Sequence, residues 1–163
     1  MPIRFATVQD IAALVDGGRR MHAHTRFKTL DYDAARVAAT FRQLIEQGQN
    51  KYVFLVAQDT GGQIVGALIA VLEQHIFSAQ LTASVMHYDV LPEKRMGGYG
   101  VRLLKAFEQW CGNRQVVEIN LGINSLTEMD SVGQFVRKMG YSKTGENWLS
   151  SVSGGKRHVR TLC

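Results

Sequence analysis

Arg95, Gly97, Gly98 and Gly100 are the densest group of chemically useful residues in this chain. Strand-like sequence runs from Ala83 to Leu91 and stops at Pro92, which cannot donate to a ladder. The glycines follow, and a helical pattern with Leu103, Leu104, Phe107 and Cys111 on one face follows them. The first turn of a helix leaves backbone N–H groups without intrahelical partners, and the helix dipole favours negative charge there. Glycine lets a phosphate approach the backbone, and Arg95 adds a fork of donors suited to phosphate oxygens. The run Arg95-Met96-Gly97-Gly98-Tyr99-Gly100 therefore predicts an anion-binding turn at a helix start. It is not a nucleoside-triphosphate loop, since no Gly-Lys-Ser/Thr closes it, and its spacing departs from the dinucleotide fingerprint.

Proton-transfer chemistry has fewer candidates. His87 and Asp89 are two residues apart on a strand and share a face, so the carboxylate can support the imidazole as a base near neutral pH. A satisfied polar pair in a sheet is the competing explanation. Glu73 and His75, near a strand end at Gln74, read more simply as solvated groups, and Ser84 as an ordinary strand serine. His22 and His24 lack a visible third ligand, so no metal site is expected.

The elements that must position these residues follow from periodicity and turn signals. Ile3 to Ala6 predicts a short strand, Thr7 and Asp10 offer caps for a helix through Ile11, Leu14 and Val15, and Gly17-Gly18 blurs its end. Asp31 or Asp33 caps a second helix, with Val37, Phe41, Leu44 and Ile45 on one stripe and Gly48 as its stop. Tyr52 to Ala57 and Gln63 to Leu72 form an antiparallel hairpin across Asp59-Thr60-Gly61-Gly62. Val116 to Leu121 is a strand. Glu128 to Met139 is a helix with Val132, Phe135, Val136 and Met139 inward, stopped by Gly140, and Tyr141 to Leu149 is a last strand. The order β-α-α-β-β-β-α-β-α-β implies an α+β fold in three layers: a mixed, mostly antiparallel twisted sheet with helices on both faces.

Composition agrees with one soluble domain. The chain has 163 residues, 45% of them hydrophobic and 20% charged, with no repeat and no proline-rich linker. Residues 1–152 are expected to form the domain and 153–163 a basic tail. That tail carries Lys156, Arg157 and Arg160 without an acid, which leaves the body near +2 of the formal +5. No aromatic residues interleave with the tail's cations, so nucleic-acid binding is not expected. No apolar run suits a membrane span, and the start has no signal pattern. Cys111 falls in a helix and Cys163 is terminal, a usage that fits a reducing compartment, the cytoplasm. Trp110 and Trp148 read as packing or partner contacts.

The segment Val90-Leu91-Pro92-Glu93-Lys94-Arg95-Met96-Gly97-Gly98-Tyr99-Gly100-Val101-Arg102-Leu103-Leu104 resembles the acetyl-coenzyme A motif of the GNAT superfamily of N-acetyltransferases. Arg95, Gly98 and Gly100 match its fixed positions in Arg/Gln-x-x-Gly-x-Gly/Ala. The late segment Phe135-Val136-Arg137-Lys138-Met139-Gly140-Tyr141 is similar to the family's closing signature, and the element order matches from Ile3 to about Leu149. Small bacterial and phage members are the most similar.

The resemblance implies that acetyl-coenzyme A lies where two strands splay apart. Backbone groups near Val90 would meet its pantetheine arm, and Met96, Gly97, Gly98, Tyr99, Gly100 and Val101 its pyrophosphate. It also implies direct attack by a primary amine, of a small molecule or a peptide, with His87 and Asp89 as the base candidates. By the same analogy the stretch from Arg19 to Asp33, with Phe27, Tyr32 and the histidines, would cover the acceptor. Two departures stand out. Val136 occupies the position of the family's usual tyrosine, the acid for the leaving thiolate. The cofactor-touching asparagine has no match in place, Asn124 lying earlier. Val136 keeps open an alternative, a coenzyme A-binding module that acts through a partner without transfer. The expected last strand, if exposed, would also pair with its copy in a homodimer.

Overall fold

A computed structural model describes residues 2–48, 50–123 and 129–150. The described residues form two compact units, 2–123 and 129–150. In the first, strand β1 (Ile3–Phe5) leads through a 3₁₀ turn (Val8–Asp10) into helix α1 (Ile11–His24), and a second 3₁₀ turn (Arg26–Thr29) leads to α2 (Ala34–Gln47). Three antiparallel strands follow: β2 (Tyr52–Gln58), β3 (Ile64–Gln74) and β4 (Leu81–Val90). A 3₁₀ turn (Pro92–Gly97), helix α3 (Tyr99–Gly112) and β5 (Glu118–Leu121) complete the unit. The sheet order is β1-β2-β3-β4-β5, with β5 parallel to β4, so the sheet is mixed and the fold is α+β.

Helices cover both faces for a reason visible in the alternation of β2 and β3. Phe54, Val56, Ala67 and Ile69 point to one side and cluster with Leu14 of α1 and with Phe41, Leu44 and Ile45 of α2. The opposite face receives α3, whose Leu103, Leu104 and Phe107 are fully buried. Gly66 allows that contact: a Cβ there would lie 3.1 Å from Leu103 and 2.9 Å from the Asp89 carbonyl. Cys111 is buried on the same helix, and burial pushes its thiol up to about 12, so it is a core thiol and not a nucleophile.

Capping chemistry acts as the sequence predicts. Thr7 N–H donates to Asp10 Oδ2 at 2.8 Å, and Asp33 Oδ1 accepts from Arg36 N–H at 2.9 Å. Helix α1, however, does not end at Gly17-Gly18; it continues to His24. Gly18 serves packing there. A Cβ would lie 2.9 Å from Tyr32 Oη, and that hydroxyl donates to the Val15 carbonyl at 2.6 Å, pinning the link between the helices to α1.

In the second unit, helix α4 (Met129–Lys138) ends at Gly140, which takes φ +94° while Tyr141 N–H closes on the Val136 carbonyl at 3.0 Å. The last strand expected over Tyr141–Leu149 is not formed: residues 141–150 carry no regular structure. Ser142 to Asn147 is polar, contains Gly145 and lacks the alternation that would bury one face. Trp148 and Leu149 are exposed. The strand edge on which a homodimer was expected to form is therefore missing. Asn124 and the basic tail lie outside the described residues.

Two stability outcomes follow. Phe107→Ala should lower unfolding stability by about 3–5 kcal/mol, read as a lower urea midpoint. Asp10 is held down to about 2, first by the hydrogen bond from Arg4, against the opposing effect of burial and with help from Thr7. A depressed carboxyl stabilises the fold above its unfolded value and loses that contribution as pH falls through the folded value. Urea midpoints of Asp10→Asn should therefore fall less than those of the parent between about pH 5 and pH 2.

Candidate active site

Strand β4 carries one residue more than its partner. Ile69 pairs with His87 and Ala70 with Val85, so Met86 is a β-bulge. The bulge resets the alternation. Ser84 before it and His87 and Asp89 after it all point to the α1/α2 face, while Tyr88 and Val90 point to the α3 face. The β4–β5 ladder runs from Thr82↔Glu118 to Val85↔Leu121 and stops at the bulge. Beyond it, β4 continues to Val90 with no β5 partner among the described residues.

The glycine turn follows this one-sided stretch of β4. Gly98 takes φ +71° as the residue before α3, and nothing lies within 4 Å of where its Cβ would be. The left-handed conformation suits glycine, and the open space leaves the backbone accessible. The first described intrahelical bond runs from Arg102 N–H to the Gly98 carbonyl at 3.2 Å, so the N–H groups of Tyr99, Gly100 and Val101 precede it. That is a cradle for an anion, and it fits a phosphate group. Met96 and Gly97 belong to the 3₁₀ turn ahead of the helix, so the helix does not follow β4 directly.

Four cationic side chains hold the turn in place. Arg95 Nε donates to the Val90 carbonyl at 3.2 Å, which ties the turn to the end of β4. Arg102 Nη2 donates to the Gly97 carbonyl at 2.8 Å, and its guanidinium lies over the Tyr99 ring. Lys94 pairs with Asp59 at 2.9 Å and Arg20 with Glu93 at 2.9 Å, anchoring the turn to the β2–β3 connection and to α1. Arg102 was not singled out from the sequence, although its place four residues after Gly98 would have found it. Tyr88 was also missed. Its hydroxyl lies 2.8 Å from where a Cβ of Gly100 would stand, so the phenol forms the floor beneath the first turn of α3. Burial pushes that phenol far above its ordinary range, which keeps it neutral.

His87 Nε2 and Asp89 Oδ2 lie 2.9 Å apart, with the imidazole half-buried and the carboxylate mostly buried. Burial opposes charge on His87, but the attraction of Asp89 and its hydrogen bond outweigh that, and the imidazole's pKa is raised. The structure thus brings the expected pair together. Tyr32, His22 and Phe27, expected near the acceptor, make local contacts. Tyr32 is taken up against α1 and under Arg19, His22 packs near Tyr32, and Phe27 lies beneath Arg26. His75 Nδ1 accepts from Phe77 N–H in the β3–β4 turn. Among the described residues no group of three or more His, Cys, Asp or Glu could hold a metal ion, and no helix is long and apolar enough to cross a membrane.

The model of the Acetyltransferase (GNAT) family matches residues 19–141, and the chain belongs to that family. Solved structures agree on the fold. The BH1408 protein of Bacillus halodurans, as a tetramutant, is 19% identical with TM-score 0.75, over 93% of this chain and 100% of that one. A ribosomal-protein-alanine N-acetyltransferase from Brucella melitensis is 16% identical with TM-score 0.67, over 93% and 98%. An aminoglycoside acetyltransferase from an uncultured soil metagenomic sample, in complex with sisomicin, is 17% identical with TM-score 0.70, over 93% and 95%. A search of curated sequences finds no significant match.

The His87–Asp89 pair yields a direct test. Titrated by NMR of the imidazole, His87 should have a midpoint above 6.5. Asp89→Asn should lower it, because the raising interactions go and burial remains. An unchanged midpoint would show that the pair is not coupled.

Proposed function

We propose that the chain is an N-acetyltransferase that moves the acetyl group of acetyl-coenzyme A to a primary amine. One observation carries the reading. The β4–β5 ladder ends at the Met86 bulge, and the stretch of β4 beyond it leads to an open, left-handed Gly98 at the start of α3. In this reading the N–H groups of Tyr99, Gly100 and Val101 hold the pyrophosphate. Lys94, Arg95 and Arg102 supply positive charge nearby, and backbone groups from His87 to Val90 line the arm of the cofactor. The bound cosubstrate supplies an activated acetyl thioester.

The chain's own task is then to hold the amine and take its proton. His87 accepts that proton, with Asp89 orienting the ring and stabilising the imidazolium. Because Asp89 raises the imidazole's pKa, His87 becomes a competent base at higher pH than an isolated imidazole would. The rate should therefore increase with pH through the His87 midpoint. Asp89→Asn should move that rise to lower pH.

Isothermal calorimetry tests the cofactor claim. The parent should bind acetyl-coenzyme A with a dissociation constant on the order of micromolar, and Gly98→Trp should abolish the heat by filling the cradle. No heat from the parent would contradict the reading. Val136, which carries no proton to give a thiolate, favours a second reading, a coenzyme A-binding module without transfer. A panel of primary amines with free-thiol detection separates the two, since silence despite intact cofactor binding would favour the module.

A further inference from the structure

A groove of about 990 Å³ opens across the ends of β2, β3 and β4, on the side of the bulge away from the glycine turn. Met86, the bulge residue that follows the last β5-paired position, lines it. Tyr52, Val71, Glu73 and Ser84 contribute to the walls, and Lys51 faces it from the rim, its ammonium near the Tyr52 ring.

Glu73 is the acid of this lining. Tyr52 and Ser84 stand opposite Val71 in the ladders, and Glu73 is the next residue of β3 on the same face. Ser84 Oγ donates to Glu73 Oε2 in a short hydrogen bond. That bond ties one oxygen of the carboxylate to β4. The bulge makes Ser84 and His87 successive residues on this face. The carboxylate held by Ser84 therefore stands one same-face position from the His87–Asp89 pair. Without the bulge, Ser84 and His87 would face opposite sides of the sheet.

We infer that Glu73, positioned by Ser84, is the recognition point for the ammonium group of the acceptor, and that the acceptor is a cationic amine with an apolar body. This rests on the transferase reading above. The chemistry is that of a charge-assisted hydrogen bond from an ammonium to a fixed carboxylate. Val71, Tyr52 and Met86 supply apolar and aromatic surface beside it, which suits an alkyl or aryl amine better than a polyhydroxylated one. Glu73 reads from the sequence as a solvated strand end. Ser84 and the groove change that assignment, because they hold the exposed carboxylate in one orientation at a concave surface.

Phenethylamine, with its neutral isostere 2-phenylethanol, tests the assignment on the full chain without any turnover. Amide NMR shifts report the binding. Phenethylammonium should perturb Tyr52, Glu73, Ser84 and Met86 and bind about tenfold more tightly than the alcohol, the order of one hydrogen bond to a charged group. Glu73→Gln should erase that preference. Ser84→Ala, which frees the carboxylate without removing it, should weaken it less. Calorimetric binding of acetyl-coenzyme A should be unchanged in both variants, and Glu73 is exposed, so unaltered melting confirms folding. Equal binding of amine and alcohol, perturbation elsewhere, or a preference that survives Glu73→Gln would overturn the assignment. Loss of cofactor binding in the parent would instead overturn the transferase reading, so the two failures are distinct.

Discussion

The hydrogen-bond register of β4 constrains everything near the site. A regular strand pairs on both sides and alternates its side chains strictly. With Met86 inserted, β4 keeps its antiparallel ladder to β3, and its parallel ladder to the edge strand β5 extends no further than Val85. Beyond that point β4 is paired on one side only among the described residues. The reset of alternation places Ser84, His87 and Asp89 on the face that carries the groove. One extra residue thus decides which side chains of β4 share a face with the His87–Asp89 pair.

At the glycine turn the constraint is steric. Gly98 must adopt a left-handed conformation for the chain to turn from the Pro92–Gly97 segment into α3. Gly100 must lack a Cβ for Tyr88 to lie beneath the helix. The cations of the turn bind the protein's own carbonyls and carboxylates, which fixes the loop before any ligand arrives. Such preorganisation lowers the cost of ordering on binding.

Much of this was legible in the sequence, and the reasons differ by element. The β2–β3 hairpin and α3 have unambiguous periodicity and strong turn residues, so their positions and buried faces followed directly. The glycine turn was legible because glycine spacing between a strand and a helix has few physical meanings. The register was not. Nothing local in Val85-Met86-His87 announces a bulge, since it arises from pairing with β3. Gly17-Gly18 misled because glycine's helix penalty is offset by the Tyr32 contact, a tertiary effect. The expectation of a last strand gave too much weight to Trp148 and Leu149 within a polar segment. The groove around Glu73 depends on three strands meeting and had no linear signature.

The region that matches the family, residues 19–141, contains both the bulge and the turn. The most direct measurement is hydrogen exchange, followed by mass spectrometry, on the full chain with saturating coenzyme A. The account predicts slowed exchange in peptides spanning His87 to Val90 and Gly98 to Arg102, with β1 and β2 unchanged. No protection at either segment, or protection confined to other elements, would contradict a coenzyme A site along the end of β4 and the glycine turn.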